Sequence, residues 1–374
     1  MNGRASLRWT IAVAAILVIT VTGMASDNTS QGKGGVASKP VSHTARQTRP
    51  IQLGTSGGSV TELANGYCCS GTLGALVQDA AGTQQYILSN THVFAGDSVL
   101  GDNGVVAQVG DSVNQPGYVD VRCKSIASDY VAAVSEWIPL VPGGTSTVDA
   151  AIAQVLPGKV DTQGRILEIG TISSQPVAAF LGQQVKKSGR TSGLTQGKVA
   201  GLNATVSIQY TDECAGSNFT SSFTGQILVT PGNFLKSGDS GSLMVQNVST
   251  NPRAVGLLYA GGSSVAIANP IQEVLDAFDV ALVLVGTPGA GAAAGTALAS
   301  EVDKASLAKA RNEAKLMHVP AAVGHAVGLK TGSVSKAAIK LLVEKITPEV
   351  ENAAPKELDG VPVELWEVGQ LIAY

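Results

Sequence analysis

The stretch Ser237-Gly238-Asp239-Ser240-Gly241-Ser242 decides how the rest of this sequence is interpreted. A serine between two glycines can lie on a tight turn that leaves the neighbouring backbone amides free to donate hydrogen bonds. An acyl-transfer nucleophile is held in this way, and the N–H groups of Gly238 and Ser240 are the candidate donors of an oxyanion hole. Because such short stretches also occur in ordinary loops, a nucleophilic Ser240 requires a partner histidine and a partner carboxylate elsewhere.

Candidate partners for Ser240 are present at His92 and Asp149. His92 comes just after the apolar stretch 86–89, and Asp149 directly precedes the apolar stretch 150–153. A structural histidine and a solvated strand end are the alternatives to catalysis for these two residues. A catalytic pair would consist of a histidine that takes the serine proton and a carboxylate that orients the imidazole.

Three motifs in the same order give residues 51–285 a resemblance to a known family. The motifs are Ile87-Leu88-Ser89-Asn90-Thr91-His92-Val93, Lys187-Ser188-Gly189-Arg190-Thr191-Ser192-Gly193-Leu194-Thr195 and Gly238-Asp239-Ser240-Gly241-Ser242. The order histidine, aspartate, serine, at intervals of 57 and 91 residues, agrees with them. The segment resembles the chymotrypsin-like (trypsin superfamily) serine peptidases, and most closely their bacterial secreted branch. This resemblance implies an all-β fold of two six-stranded barrels, with the triad in the cleft between them.

The resemblance also implies a role for each member of the triad. Ser240 would attack the carbonyl carbon of the scissile peptide bond and form an acyl-enzyme. His92 would take and return the proton, and Asp149 would hold the imidazole in the productive tautomer.

Substrate contacts are implied at two places. The segment 255–262 looks like the strand that pairs with substrate, through Tyr259, Ala260 and Gly261, and Gly261 would keep that edge open. Phe234 takes the position at the base of the specificity pocket that carries an acid in trypsin-like enzymes. Cleavage after Lys or Arg is therefore not expected. Glutamate-specific relatives use an additional pocket histidine, which this segment lacks, so an apolar or small residue before the scissile bond remains.

The loop that carries Ser240 is predicted to contain an ion pair. The chain lacks the Arg-Ile-Val-Gly-Gly activation site of vertebrate digestive relatives. Asp239 therefore needs another cation if it is buried, because an unpaired buried carboxylate is costly. The bacterial branch suggests Arg190, so Asp239 and Arg190 are predicted to support the oxyanion loop without proteolytic activation.

Composition narrows the class of protein further. The chain has 374 residues and a net charge of −3, so it has no basic field and nucleic acid is not an expected partner. Charged residues make up only 14% and glycine numbers 44, which favours a turn-rich β protein. Polypeptides are the expected substrates, and no cofactor or metal site is predicted.

The ends of the protease-like segment have different compositions. Two arginines before the apolar stretch 9–21, with small residues after it, predict a secretory signal peptide over 1–25, or alternatively an uncleaved anchor. Residues 26–50 are polar and predict a disordered leader or a pro-segment. The Gly- and Ala-rich residues 286–300 predict a flexible linker. Export, either as a secreted protein or to the periplasm or cell envelope, is expected, with no membrane association after signal cleavage.

Residues 301–374 carry 9 Lys and Arg and 10 Asp and Glu, a density that separates them from the rest. Their pattern predicts a small αββαβ module: a helix over 301–316, strands at 326–329 and 338–343, a helix from Pro348 and a strand at 362–366. Similar modules accompany proteases of this bacterial type. Substrate docking, inhibition and anchoring remain open as its role, and an intramolecular contact with the protease segment is one expectation.

The four cysteines, Cys68, Cys69, Cys123 and Cys214, leave several states open. A bridge between the adjacent Cys68 and Cys69 would be strained, so Cys123 and Cys214 each pair with one of them, or the thiols stay free.

Two functions are compatible with these observations. The first is a secreted serine endopeptidase that uses His92, Asp149 and Ser240. The second is a protease-like binding or regulatory module with an occluded cleft. Fluorophosphonate labelling of Ser240 distinguishes the two.

Overall fold

The computed structural model describes residues 41–61, 63–64, 67–96, 106–211, 217–283 and 296–374. The expected signal peptide, residues 26–40 of the expected leader and most of the expected linker lie outside these ranges. The described chain is mostly β-sheet with few helices, as the sequence predicted. Among the described residues, no helix has both the length and the apolar character needed to span a membrane.

Most strands in the first half of the described chain form a ring. The strands of this half are β1 (Thr55–Ser59), β2 (Leu63–Ala64), β3 (Tyr67–Cys68), β4 (Gly71–Leu73), β5 (Ala75–Asp79), β6 (Gln85–Ser89), β7 (Ser112–Asn114), β8 (Tyr130–Trp137), β9 (Thr145–Ser146) and β10 (Ala151–Val155). Three of them lie outside the ring: β2 and β3 pair with each other, and β9 joins the sheet formed by later strands. Only Gly74 separates β4, which pairs with β1, from β5, which pairs with β6. Because β6, β10, β8, β7 and β1 are also consecutive neighbours, the ring closes. Short aliphatic runs such as Ile87-Leu88 supply its buried interior.

The next strands are β11 (Gln184–Gly189), β12 (Gly193–Tyr210), β13 (Phe219–Thr230), β14 (Leu243–Gln246), β15 (Ala254–Gly261), β16 (Ala266–Pro270) and β17 (Val280–Leu282). The first six of them, β11 to β16, form a second ring. The sheet order β12-β11-β14-β15-β16-β13 closes because β12 also pairs with β13. Along β12, Val206, Ile208 and Tyr210 are buried and alternate with more exposed residues, the two-residue period of a strand with one buried face. β17 pairs back onto β5 of the first ring.

The α-helices are few, and the longest of them has 16 residues. In the described ranges they are α1 (Thr91–Phe94), α2 (Ile271–Ala277), α3 (Thr296–Arg311), α4 (Glu313–Met317) and α5 (Pro348–Ala353). α3 begins at Thr296, so the last residues of the expected linker are helical.

Residues 301–374 continue the sheet of the second ring. Their strands are β18 (Ala322–Leu329), β19 (Ala337–Val343), β20 (Glu357–Leu358), β21 (Val361–Glu367) and β22 (Ile372–Ala373). The predicted order of helices and strands is present, with β20 and β22 in addition. β18 pairs antiparallel with β12, so main-chain hydrogen bonds join the module to the second ring. Residues 41–374, which include the module, form one compact unit.

Residues 41–50, the end of the segment expected to be a disordered leader or a pro-segment, make specific hydrogen bonds to the rest of the described chain. The Arg46 guanidinium donates to the carboxylate of the fully buried Asp129 at 2.8 Å. The backbone oxygen of His43 accepts from Thr55 Oγ1 at 2.8 Å, and its ring lies 2.7 Å from Glu168. These polar side chains find specific partners on the first ring, which local composition did not reveal.

A disulfide joins Cys68 to Cys123, across 55 residues of sequence. This bond belongs to one of the two pairings that were expected. Cys214 lies outside the described residues.

Candidate active site

His92 and Asp149 form a buried pair between the two rings. His92 lies on α1, directly after β6, and Asp149 lies just before β10, which pairs with β6. His92 Nδ1 is 2.5 Å from Asp149 Oδ2, and the His92 backbone amide donates to Asp149 Oδ1 at 3.3 Å. Asp149 is fully buried and His92 is 6% exposed. The structure therefore brings these two candidate residues together.

The pKa of His92 is raised above its ordinary value. Burial acts to lower the pKa of the imidazole, but the charge of Asp149 and its hydrogen bond act in the opposite direction and prevail. A contact with the Tyr374 backbone oxygen adds to the upward shift. A histidine held in this way binds a proton readily, which suits a general base.

Hydrogen bonds from two asparagine side chains hold the backbone of Asp149 in place. The side-chain amides of Asn90 and Asn269 donate to the Asp149 carbonyl oxygen at 2.6 and 3.1 Å. The Asp149 amide in turn donates to Asn269 Oδ1 at 3.1 Å. Both asparagines are fully buried, so they fix the backbone that carries the carboxylate.

Ser240 lies on a turn between β13 and β14. Gly238 and Gly241 on either side have φ values of +91° and +88°, a conformation that side chains rarely adopt. The Ser240 hydroxyl donates to the backbone oxygen of Tyr259 at 3.0 Å. To attack a carbonyl, this hydroxyl must turn toward His92 Nε2, which here lies 3.1 Å from the Tyr374 backbone oxygen instead.

The predicted oxyanion hole is geometrically available. The backbone N–H groups of Gly238 and Ser240 donate to no other group in the part of the chain that the structure describes. The amide between them, that of Asp239, donates to the Lys236 oxygen at 2.8 Å. Two unpaired amides next to a serine can stabilise negative charge that develops on a substrate oxygen.

Asp239 pairs with Lys187, not with the predicted Arg190. Lys187 Nζ lies 3.1 Å from Asp239 Oδ2, and both side chains are fully buried. The carboxylate also accepts from the backbone amides of Thr191, Ser192 and Lys236 at 2.8 to 3.0 Å. Burial lowers the pKa of Lys187, and the charge of Asp239 opposes this shift.

Arg190 is instead bound to Asp120 by two hydrogen bonds of 2.7 and 2.8 Å. The two side chains find different partners because they point in different directions. Lys187 lies within β11 and faces the interior, while Arg190 follows the strand and reaches toward the first ring. Arg190 still contacts the loop indirectly. Its Nη1 donates to Thr191 Oγ1, which donates to the Ser237 oxygen at 2.7 Å.

The cation that pairs with Asp239 does not come from the backbone near Ile51. In the described chain, Ile51 donates its backbone amide to the Lys159 oxygen at 2.8 Å, while the cation at Asp239 comes from Lys187. Asp239 therefore needs no new amino terminus as its partner.

Tyr210 is a site residue that sequence reasoning missed. Its hydroxyl donates to Asp149 Oδ2 at 2.9 Å, and its ring meets the His92 ring edge-to-face at 5.9 Å. Burial, together with the charge of Asp149, raises the pKa of Tyr210 well above its ordinary value, so the hydroxyl stays protonated as a donor. The alternation of Val206, Ile208 and Tyr210 in the sequence indicates that the Tyr210 side chain points inward. It does not indicate which group the Tyr210 hydroxyl contacts.

Replacing Tyr210 with phenylalanine should lower the free energy of unfolding by about 1.5–3 kcal/mol, the usual contribution of a hydrogen bond to a charged group. Tyr259→Phe is the matched control, because the Tyr259 hydroxyl is buried without a hydrogen-bond partner among the described residues. Its loss should change stability little. Urea denaturation of both variants measures the difference, and equal losses would show that the Tyr210 hydroxyl does not support Asp149.

The predicted substrate strand is already paired. β15 carries Tyr259, Ala260 and Gly261, and Ala260 and Gly261 pair antiparallel with Ala373 and Ile372 of β22. The predicted pocket residue Phe234 is buried in a cluster of apolar residues, and Tyr374 packs against that cluster.

A cavity of about 320 Å³ opens next to the triad. His92, Gly238 and Tyr374 contribute to its wall. Within the described ranges, no group of three His, Cys, Asp or Glu side chains is placed to hold a metal ion.

Comparison with known proteins gives one family match. Residues 145–269 match the family described as the Nal1 C-terminal domain. The matched range includes Asp149 and Ser240, but it contains neither His92 nor the module over residues 301–374. No curated protein matches the sequence.

Solved structures similar to this chain include several serine proteases. Protease A of Thermobifida fusca has a TM-score of 0.40 and 19% identity, over 63% of this chain and 99% of that chain. A glutamic acid specific serine protease, which utilizes a histidine triad in substrate binding, has a TM-score of 0.41 and 20% identity, over 62% and 100%. The chymotrypsin of Cellulomonas bogoriensis has a TM-score of 0.38 and 19% identity, over 63% and 99%.

The arrangement in this chain has the parts that acyl transfer needs. A carboxylate orients a histidine of raised pKa, a serine stands on a turn with two unpaired amides, and a strand next to it pairs with extended backbone. These parts meet where the two rings contact each other, because the Thr72 amide of β4 donates to the Ser240 oxygen at 2.8 Å.

Proposed function

We propose that this chain is a serine endopeptidase with the chymotrypsin-like double-barrel fold. The observation that carries the proposal is the buried pair of His92 and Asp149, joined at 2.5 Å. His92 lines the same cavity as Ser237 and Gly238 of the turn that carries Ser240. Ser240 attacks the carbonyl carbon of a peptide bond, and His92 takes its proton through Nε2. The bond to the leaving amine then breaks as His92 returns the proton, and water releases the acyl group in the same manner.

Charge that develops on the substrate oxygen is stabilised by the amides of Gly238 and Ser240. Loss of one such donor costs a factor of about 10²–10³ in kcat in a protease where this was measured. Asp239, held by Lys187, fixes the backbone between the two donors, so its ion pair keeps them directed at the same point.

We also propose that the protein works outside the cytoplasm. The Cys68–Cys123 disulfide supports this location, because such bonds persist in oxidising compartments. The arginines and the apolar stretch near the amino terminus provide the export signal. Polypeptides are the substrates, and neither a cofactor nor a nucleic acid takes part in the reaction.

A second function has a specific observation in its favour. The segment 372–374 pairs with the substrate strand, so the cleft is occupied in this structure. A protease-like binding or regulatory module with an occluded cleft would have the same feature.

Fluorophosphonate labelling decides between the two functions. The probe should attach to Ser240 of the folded protein, measured in the chain as it is and in a Tyr374→Ala variant, because Tyr374 lies in the cleft. Ser240→Ala should remove the label from both. Folded protein that stays unlabelled in both forms would refute the peptidase and support the binding module.

A further inference from the structure

The last strand of the chain lies in the cleft as an extended peptide. Ala373 and Ile372 pair antiparallel with Ala260 and Gly261 of β15. The Tyr374 amide donates to the Tyr259 oxygen at 3.2 Å, the same oxygen that accepts from the Ser240 hydroxyl at 3.0 Å. The backbone of Tyr374 and the nucleophile therefore share one acceptor.

Tyr374 also places its backbone oxygen beside the base. This oxygen lies 3.1 Å from His92 Nε2, the atom that must receive the serine proton. While the contact lasts, Ser240 cannot take its place as the hydrogen-bond partner of His92.

The Tyr374 ring fills an apolar site. It packs against the cluster that contains Phe234, which the sequence assigned to the base of the specificity pocket. A side-chain carbon added to Gly261 would lie 2.8 Å from the ring carbon Cε2, so only glycine leaves room for the ring there. The Tyr374 side chain therefore packs against apolar side chains and against the backbone at Gly261.

The module fixes the path of this segment. The Leu371 oxygen accepts from the Gln209 amide at 2.9 Å, and the Val368 oxygen accepts from the Ser263 amide at 2.7 Å. Both Leu371 and Val368 are buried. Because β21 leads directly into these anchors, the module delivers residues 372–374 to the cleft in a defined register.

Segment 372–374 also lines the cavity of about 320 Å³ at this site. His92 and Gly238 contribute to the same wall, so the segment, the base and the oxyanion turn face one space.

We propose that residues 372–374 occupy the acyl side of the cleft as a substrate peptide would, and that they block the site in cis. The same fit identifies the preferred substrate as a peptide with a large aromatic residue before the scissile bond. This inference rests on the proposed peptidase function. It assigns the module over residues 301–374 an inhibitory role, which the sequence left open among three.

The substrate class follows from the fit of the three residues. The site at Tyr374 is apolar and holds a ring, and the pairing of Ala373 and Ile372 uses main-chain groups, so it places little demand on their side chains. Transfer of an aromatic ring from water to apolar surface is worth a factor of about ten or more in affinity. A charged residue at this position would lose that factor.

Labelling kinetics with substitutions at Tyr374 test the proposal. Tyr374→Ala removes the ring and should raise the rate of fluorophosphonate labelling at Ser240, and of peptide ester hydrolysis, by about tenfold. Tyr374→Phe keeps the ring and should stay close to the parent rate. Val334→Ala is the control for a change in the module, because Val334 is 86% exposed, and it should have no effect.

Two further measurements use the Tyr374→Ala variant, in which the blocking side chain is absent. A synthetic peptide of the sequence Val-Gly-Gln-Leu-Ile-Ala-Tyr, residues 368–374, should inhibit Tyr374→Ala competitively. That variant should also hydrolyse esters of tyrosine or phenylalanine at least about tenfold faster than esters of lysine. Equal rates for the two classes would overturn the assigned substrate class.

The outcomes separate this inference from the proposed function. If Tyr374→Ala and the parent both label at Ser240 at the same rate, the peptidase stands and the blocking segment is refuted. If neither labels although circular dichroism shows both folded, the peptidase function fails, and the inference fails with it.

The block should also weaken as pH rises. His92 Nδ1 faces the Asp149 carboxylate and Nε2 faces the Tyr374 oxygen, so both nitrogens need a proton to satisfy both acceptors. The other titratable groups at this point, Tyr210 and Tyr259, stay neutral because burial raises the pKa of each. Above the raised pKa of His92, Nε2 presents a lone pair to the Tyr374 oxygen. The rate ratio of Tyr374→Ala to the parent should therefore fall with pH, and a constant ratio would refute the role of this hydrogen bond.

Discussion

Replacing Ser240 or His92 with alanine should lower kcat for peptide ester hydrolysis by about 10⁶-fold, the loss found when a serine protease triad was dissected. The reason is that serine and histidine act as a unit: without the base the hydroxyl is not activated, and without the hydroxyl the base has no proton to take. The two losses should therefore be equal, and the double variant should lose no more than either single one.

The kinetics are best measured in the Tyr374→Ala background, in which segment 372–374 does not compete with substrate. Thermal unfolding serves as the control, because each alanine variant must keep the melting temperature of its parent to within a few degrees. Asp149→Asn should retain more activity than Ser240→Ala, since it affects the orientation of the imidazole and leaves the nucleophile in place. Activity of Ser240→Ala near that of the parent would overturn the assignment of the nucleophile.

Lys187→Met should destabilise the protein by about 3–5 kcal/mol, because it leaves the charge of Asp239 buried without its cation. Lys187 and Asp239 are both fully buried, so water cannot replace the lost partner. Labelling of Ser240 should fall as well, because Asp239 fixes the backbone between the two amides of the oxyanion hole. Urea denaturation measures the first effect, and fluorophosphonate labelling measures the second.

Two variants serve as controls for the Lys187 result. Arg190→Met removes the cation from the pair with Asp120, but Asp120 keeps the Ser56 hydroxyl as a donor and is less buried than Asp239, so the loss should be smaller than for Lys187→Met. The double variant Lys187→Met, Asp239→Asn leaves no uncompensated charge and should recover most of the lost stability. If Arg190→Met proved the more damaging of the two single variants, Arg190 and not Lys187 would be the cation that supports the loop.

The sequence by itself indicated the candidate residues of the site and the class of local structure. His92, Asp149 and Ser240 stand out because each residue type occurs at the end of an apolar run or between glycines, and such patterns are local. The apolar stretches 86–89 and 150–153 are strands in the structure, β6 and β10, for the same reason. The helices and strands of residues 301–374 followed from periodicity in the same way.

The local sequence could not show whether Lys187 or Arg190 is the cation that pairs with Asp239. The two residues are three positions apart, and both are cations near the same motif. Only the direction of each side chain relative to β11 decided that Lys187 meets Asp239, 52 residues away, while Arg190 meets Asp120. A sequence pattern gives the charge of a side chain, but not the partner that it reaches across a fold.

The same limit explains why the sequence did not reveal the roles of Tyr210 and segment 372–374. Tyr210 meets Asp149 across 61 residues, and the Tyr374 oxygen meets His92 across 282 residues. Segment 372–374 itself is too short to show a strand period, and it becomes a strand only because β12 and β15 offer it unpaired backbone groups. The sequence therefore determined which groups could perform acyl transfer, whereas the tertiary structure decided which groups support them and what lies in the cleft, because those contacts form only when distant strands are brought together.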